Sequence, residues 1–147
     1  MAFISVTRLR IRALRFLPAF AVHMLRSSRQ VQKAAGFNGG YLAISRGFAF
    51  WTVTSWHEEQ AMRAYRNSAA HVKAMPKLIE WCDEASVAHW TSEEAAAPDP
   101  TFAASQLAAV GKLSKVRRPS AGHSSGNTWP DQRIPARGRN LDPSTTG

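Results

Sequence analysis

The side chains that could do chemistry in this sequence are a histidine, a tyrosine and several bulky aromatic residues. His71 lies on the apolar stripe of a predicted helix, above a predicted sheet. In that position it could be a general base, a donor to a substrate oxygen or an axial haem ligand. The alternative is a core histidine that is hydrogen-bonded to the backbone. His71 is therefore the candidate catalytic residue.

Aromatic side chains could line an apolar cavity between that helix and the sheet. Pockets for small molecules are mainly apolar with a few polar groups, so such a cavity would suit a flat aromatic or a terpenoid ligand. The tyrosine could donate a hydrogen bond to it. The alternative is that the indoles fill the core and a seam between two subunits. The candidate substrate-binding residues are Trp51, Trp56, Tyr65, Trp81 and Phe20.

The sequence lacks the usual motifs for metals, nucleotides and activated nucleophiles. Its five histidines show no H-E-x-x-H spacing, and a single cysteine cannot build a dense metal-ligand cluster. Cys82 has no histidine near it in sequence, so it is predicted to be buried filler. No glycine-rich phosphate loop and no G-x-S-x-G motif occurs. We therefore expect no structural metal and no required cofactor.

The spacing of apolar residues predicts an α+β protein with the element order β-α-β-β-α-β. This is the ferredoxin-like split unit, with an antiparallel sheet. A C-terminal glycine, Gly36, suits the end of the first helix. The predicted strands are 3–10, 37–45, 48–56 and 86–90, and the predicted helices are 16–34, about 58–66, and one after Ser68 that Pro76 interrupts.

The third predicted strand, residues 48–56, is apolar on both faces. Trp51 and Trp56 are five residues apart, so on a strand they point in opposite directions. A strand that is apolar on both faces is covered on both. The helices can cover one face only, so a second copy of the chain is predicted to cover the other. Gly39 and Gly40 indicate a bulge or a close backbone approach in the preceding strand.

Composition divides the chain into three parts. Residues 1–92 carry the predicted barrel domain, and 93–118 carry a helix and an extended arm. Residues 119–147 are rich in Ser, Gly, Pro, Asn and Arg. A segment with so few large apolar groups cannot offset its ordering entropy, so it is predicted to be a disordered tail.

The net charge of +9 is unevenly spread, because no acid precedes Glu58. A basic stretch without acids is typical of a transit peptide. It could also be a basic patch that binds nucleic acid, anionic lipid or a carboxylate ligand. The simpler explanation is that the outward faces of one strand and one helix are basic. Nucleic-acid binding is disfavoured, since no aromatic-basic motif accompanies the charge. The run Phe16–Leu25 is shorter than the ~20 residues of a membrane span, so a cytoplasmic protein without a transmembrane segment is expected.

Three runs together carry a resemblance to a known family. The runs FWTVTSW, HEEQAMRAYRNSAAH and KAMPKLIEWCDEASVAHW resemble the antibiotic-biosynthesis monooxygenase-like proteins, and within them the bacterial branch near spheroidene monooxygenase. The resemblance covers roughly residues 3–90. It implies a dimeric α+β barrel, a split βαββαβ fold whose sheets pair across a homodimer. The family includes cofactor-free oxygenases of aromatic polyketides, haem enzymes and members without known activity, so the fold does not fix the function.

The resemblance also bears on haem. The haem-degrading members of the family use an asparagine, a tryptophan and a histidine where this chain has Thr7, Tyr65 and Met75. This difference argues against haem degradation. Haem bound through His71 stays open. The expected function is a small monooxygenase-like protein that acts on or binds an apolar aromatic or terpenoid compound. The alternatives are a non-enzymatic dimeric module and a basic-surface binder of nucleic acid or anionic membrane.

Overall fold

The computed structural model describes residues 1–130, 133–134 and 138–144. A 3-10 turn at Leu14–Phe16 precedes the first helix. The strands are β1 (Ala2–Ile11), β2 (Phe37–Ser45), β3 (Ala49–Trp56), β4 (Cys82–Ser92), β5 (Lys112–Leu113) and β6 (Arg139–Leu141). The helices are α1 (Leu17–Gln32), α2 (Glu59–Arg66), α3 (Ala69–Trp81), α4 (Pro100–Val110) and α5 (Ala121–Ser124).

The strands form one sheet in the order β5-β4-β1-β3-β2-β6, and every neighbouring pair is antiparallel. The predicted ferredoxin-like α+β fold is therefore confirmed, with β1 near the centre. The short strands β5 and β6 add one ladder at each edge. They come from the region beyond the predicted barrel domain, so two short segments of the C-terminal region belong to the sheet.

The two glycines of β2 have different structural reasons. The ladder between β2 and β3 shifts register between Phe37 and Gly39, and Gly39 has a φ of 136°, which L side chains rarely adopt. Gly40 has no such angle. A Cβ added there would overlap the carbonyl oxygen of Val53 on the neighbouring strand. Both predicted features of this strand, the bulge and the close approach, are thus present.

Strand β4 is longer than the sequence predicts. It begins at Cys82 rather than at Ser86, because Glu84 occupies a buried position in the strand with cationic partners there. Ser55 remains in β3, and its hydroxyl donates to the carbonyl oxygen of Ala95 at 2.6 Å.

Helix α3 runs through Pro76 without the predicted interruption. A proline inside a helix removes one backbone hydrogen bond to the carbonyl four residues earlier, which here belongs to Val72. Val72 is exposed, so water can satisfy the carbonyl that Pro76 leaves without a backbone donor. The helix therefore continues to Trp81 and delivers the chain directly into β4.

The sheet has an inner face, which the helices α1–α3 cover, and an outer face on the other side. Trp56 belongs to an inner cluster with Phe37 and Met62, and Trp51 belongs to an outer cluster with Val53 and Leu107. Both indoles are almost completely buried. The opposite orientation that their spacing predicts is thus present in the structure.

The outer face is covered by the same chain rather than by a second subunit. Helix α4 places Ala103 and Leu107 against it, and Ile134 also packs into this cluster. The Tyr41 hydroxyl crosses from the sheet and donates to the carbonyl oxygen of Pro98 at 2.7 Å. The apolar outer face therefore gives no reason to require a partner, which corrects the argument for a homodimer made from the third strand.

A buried ionic cluster joins the outer face to the C-terminal segment. Arg8 donates to Glu84 Oε1 at 2.9 Å, Arg10 donates to Oε2 at 3.1 Å, and the Ser120 hydroxyl donates to Oε2 at 2.7 Å. The guanidinium of Arg8 also lies 4.1 Å from the ring centroid of Trp129. Hydrogen bonds hold the pKa of Glu84 below its ordinary value although burial alone would raise it.

The described part of residues 119–147 differs from the predicted disordered tail. It contains α5 and β6, and Ile134 and Leu141 are buried in it. Residues 131–132, 135–137 and 145–147 of the predicted tail lie outside the described residues. Ile134 and Leu141 each pack into an apolar cluster that the sheet provides. Low average hydropathy therefore does not prevent it from packing.

Among the described residues, none of the helices combines the length and the apolar character that a membrane span requires.

Candidate functional site

A partly enclosed cavity of about 260 Å³ lies between the inner face of the sheet and helices α1, α2 and α3. Its helical wall is mostly apolar, and residues after β4 close one side. Three of the predicted site residues line it, namely Trp56, Tyr65 and His71. The cavity that the aromatic residues predict is thus present, although only part of the predicted set contributes to it.

Four hydroxyl side chains form the floor of the cavity. They belong to β1 and β3, where Ser5 pairs with Thr54 and Thr7 pairs with Thr52. The Thr54 hydroxyl accepts a hydrogen bond from the Trp56 indole at 3.0 Å. None of the four is among the site residues predicted from the sequence. Their signal is alternation, because each hydroxyl is separated by one residue from the next on the inner face.

An aromatic row leads from the floor to His71. The rings of Trp56 and Tyr65 are 5.5 Å apart between centroids, and those of Tyr65 and His71 are also 5.5 Å apart. The Tyr65 hydroxyl donates to the carbonyl oxygen of Ser27 at 3.2 Å, and burial raises its pKa to about 12. Tyr65 therefore keeps its proton at neutral pH and orders the wall between α1 and α2.

His71 has a buried ring nitrogen that is not hydrogen-bonded. Its Nδ1 has no partner among the described residues, although the side chain lines the cavity. Burial lowers the pKa of His71, and the positive charge of Arg66 lowers it further. The imidazole is therefore neutral at pH 7 and can accept a proton. A buried nitrogen without a partner is uncommon in folded proteins and suits a group that awaits a ligand.

Two further histidines share the cavity. His23 lies with Nε2 3.4 Å from the Ser27 hydroxyl, and His89 packs its ring 5.3 Å from that of Phe3. Burial is the main cause that lowers the pKa of each. His89 is half-buried on the inner face of β4, three residues before the end of the strand.

The neutral histidines predict a stability that depends on pH. Their pKa values lie below the ordinary 6.5, so the unfolded chain binds more protons than the folded chain as the pH falls through this range. The contribution of each is complete above about pH 6.5 and is lost as the pH falls through the lower, folded pKa. Urea unfolding from about pH 7 to pH 5 should show a decreasing free energy of unfolding. His71→Phe should flatten this slope, whereas His57→Ala, at an exposed ring, should keep it.

The other predicted substrate-binding residues do not line the cavity. Trp51 faces the opposite side of the sheet and donates to the Ser45 hydroxyl at 2.8 Å. Phe20 packs on Phe50 at 4.6 Å between ring centroids. Trp81 meets the edge of His23 at 6.4 Å. These last two side chains belong to a cluster next to the cavity, and they support its wall.

Cys82 belongs to that neighbouring cluster too. It is fully buried, and burial raises the pKa of its thiol to about 12. A thiol in this environment stays protonated and unreactive. The packing role that the sequence predicts for Cys82 agrees with this environment.

The volume of the cavity does not favour haem. Pockets for drug-sized ligands commonly measure ~300–1,000 Å³, and the volume here lies below that range although haem is larger than most such ligands. Thr7, Tyr65 and Met75, the residues at the positions of the haem-degrading set, all line it. Among the described residues, no group of three or more His, Cys, Asp or Glu side chains is placed to hold a metal ion.

Comparison with solved structures gives the class of protein to which this fold belongs. Several neighbours with the same fold are antibiotic-biosynthesis monooxygenase-like proteins, as the sequence resemblance implies. One antibiotic biosynthesis monooxygenase is 7% identical with a TM-score of 0.56, over 63% of this chain and 99% of that one. No protein-family model matches this sequence, and no curated protein is significantly similar to it.

Two neighbours come from named organisms. SnoaB of Streptomyces nogalater, a cofactor-independent oxygenase, is 16% identical with a TM-score of 0.53, over 63% of this chain and 94% of that one. Rv0793 of Mycobacterium tuberculosis is 14% identical with a TM-score of 0.59, over 65% of this chain and all of the other. At these identities the likeness shows a monooxygenase-like fold and not a shared reaction.

Proposed function

We propose that this chain binds a small, flat apolar molecule in the inner cavity and oxidises it with molecular oxygen, with His71 as the base. The observation that carries the proposal is His71, whose side chain lines a mostly apolar space of about 260 Å³ and whose Nδ1 has no hydrogen-bond partner among the described residues. The aromatic row of Trp56 and Tyr65 supplies flat surfaces against which such a ligand can pack. A cytoplasmic location stays a prediction.

The chemistry needs a substrate with an acidic CH₂ group that is conjugated through an aromatic ring to a carbonyl group. His71 takes that proton, and the resulting carbanion passes an electron to oxygen. The two radicals combine into a peroxide, which accepts a proton from the imidazolium. Loss of water then leaves a carbonyl group. In total, one CH₂ group and O₂ become C=O and H₂O, so no external reductant is consumed.

The protein has two tasks in this reaction. It must keep water away from the carbanion, which the walls of Leu78, Ile79 and Val116 favour. It must also hold a neutral base at the reacting carbon, which the lowered pKa of His71 provides at neutral pH. The hydroxyl groups on the floor can donate to the substrate carbonyl, where charge develops after proton removal.

Oxygen uptake with anthrone tests the proposal. Anthrone is a flat tricyclic ketone with an acidic ring CH₂, and its oxidation by O₂ gives anthraquinone and water. Wild-type protein in the presence of a chelator should accelerate oxygen uptake. His71→Ala should reduce the acceleration by about 10²–10⁴-fold, the usual contribution of a general base. An oxygen electrode measures the consumption of O₂, and absorbance measures the formation of anthraquinone.

His57→Ala is the matched control, because this histidine is exposed and lies outside the cavity. It should leave the rate unchanged. Full activity of His71→Ala would overturn the assignment of the base. A wild-type protein that binds anthrone without accelerating its oxidation would instead favour the non-enzymatic module. Circular dichroism of each variant shows whether the fold is retained.

A further inference from the structure

The charged residues around the cavity are all of one sign. Arg66 and Lys115 line it together with the three histidines, and none of its lining residues is an aspartate or a glutamate. An apolar space bounded by cations and free of carboxylates attracts a ligand with a negative group and disfavours a cationic one. The net charge of +9 alone does not produce this arrangement, because the sequence also contains ten acids.

The charge is concentrated near His71. Arg66 follows Tyr65 at the end of α2, and its positive charge lowers the pKa of both His71 and His89. All three side chains line the cavity, on α2, α3 and β4. The Nδ1 of His71 has no hydrogen-bond partner among the described residues.

Arg66 is available to a ligand, whereas its neighbour on α2 is not. Arg63 is paired with Glu59, four residues earlier, at 2.6 Å. No carboxylate lies within ion-pair distance of Arg66 among residues 1–130, 133–134 and 138–144. A guanidinium offers paired donors that match the two oxygens of a carboxylate.

We propose that the ligand is an apolar molecule with one anionic oxygen group, a carboxylate or an enolate, which Arg66 binds beside His71 and His89. This inference rests on the proposed function, since it names the ligand class of the same cavity. The apolar body lies along the aromatic row, and the anionic group lies at the end of α2. An enolate formed by removal of a proton would be stabilised there by the same charge.

Calorimetric titration with two probes of equal ring size tests the inference. 1-Naphthoate carries a carboxylate, and 1-naphthalenemethanol presents a neutral hydroxyl on the same ring system. Wild-type protein in about 0.15 M salt, where surface charges are largely screened beyond ~8 Å, should bind the acid at least about tenfold more tightly. Arg66→Gln should bring the two affinities close together and leave that of the alcohol unchanged.

Arg63→Gln is the matched control. It removes the same charge from the same helix, one turn earlier, at a side chain that does not line the cavity. It should keep the preference for the acid. If Arg63→Gln lowers the preference as much as Arg66→Gln, the effect is one of general surface charge and the inference falls.

The remaining outcomes separate this inference from the proposed function. Equal binding of the acid and the alcohol to wild-type protein would overturn the anionic ligand class and leave the cavity as a binding site. Binding of neither probe would overturn both. Tighter binding of the acid that depends on Arg66 would support the inference even if anthrone is not oxidised, because the titration involves no turnover.

Discussion

Glu84→Gln is expected to lower the free energy of unfolding by about 3–5 kcal/mol, the usual cost of breaking a buried ion pair from one side. Glu84 and Arg8 are both more than nine-tenths buried, and their atoms are 2.9 Å apart. The substitution keeps the shape of the side chain and removes its charge. The carboxylate that faces Arg8, Arg10 and the Ser120 hydroxyl is then lost, although the cationic groups remain.

Urea unfolding of the full chain measures this effect, and Glu59→Gln is the control. Glu59 forms an exposed pair with Arg63 within one helix, at 2.6 Å. Such pairs contribute about 0.3–0.5 kcal/mol, so the control should change little. Similar losses in the two variants would show that the buried cluster is not an important source of stability. In that case the burial of an ion pair would not determine how much the pair contributes to the free energy of unfolding.

The main features of the fold could be predicted from sequence because they depend on short-range pattern. The alternation in residues 48–56 gave a strand with two buried faces, and the opposite orientation of Trp51 and Trp56 followed from their spacing. The stripe on α3 likewise placed His71 toward the sheet. In each case the face on which a side chain lies follows from the residues two, three or four positions away in the sequence.

The parts that could not be predicted depend on partners far away in the sequence. The N-terminal part of β4 contains Asp83 and Glu84, which resemble a polar break in the sequence. In the sheet, Arg10 lies opposite Glu84, and the side chain of Arg8 also pairs with it. The face on which His89 lies is likewise fixed by the register of the whole strand. A local pattern contains no information on which distant residue will neutralise a charge.

The packing of the C-terminal segment could not be predicted either, because it also depends on residues far away in the sequence. Trp129, Ile134 and Leu141 are isolated apolar residues in a polar run, and composition alone assigned them to a disordered tail. Each instead contacts a surface that the sheet already provides, such as the Arg8 guanidinium for Trp129. An ordered surface lowers the amount of apolar area that the segment itself must supply. The chain thereby covers the face that would join two subunits in a dimeric barrel.

Leu107→Ala is expected to lower the free energy of unfolding by about 2–5 kcal/mol, since it leaves a cavity in a closely packed core. Leu107 is fully buried between α4 and the outer face of the sheet. Val110→Ala is the control on the same helix, because Val110 is 50% exposed, and it should change stability by at most about 0.5 kcal/mol. Equal effects would mean that α4 does not seal the sheet.

Helix α4 and Ile134, which cover the outer face of the sheet, also determine the expected oligomeric state in solution. Two sheets cannot pack face to face while Ala103, Leu107 and Ile134 occupy the outer face, so light scattering should give the monomer mass of 16.2 kDa for the full chain. Loss of the Leu107 side chain loosens α4 and should increase self-association in proportion to the loss of stability, whereas Val110→Ala should not. The contrary result would be a wild-type mass of twice that value, with outer-face amides whose protection from hydrogen exchange increases with protein concentration. That result would mean that α4 leaves the sheet and a second copy takes its place. In that case the C-terminal segment would compete with a partner for the outer face and would not permanently replace it.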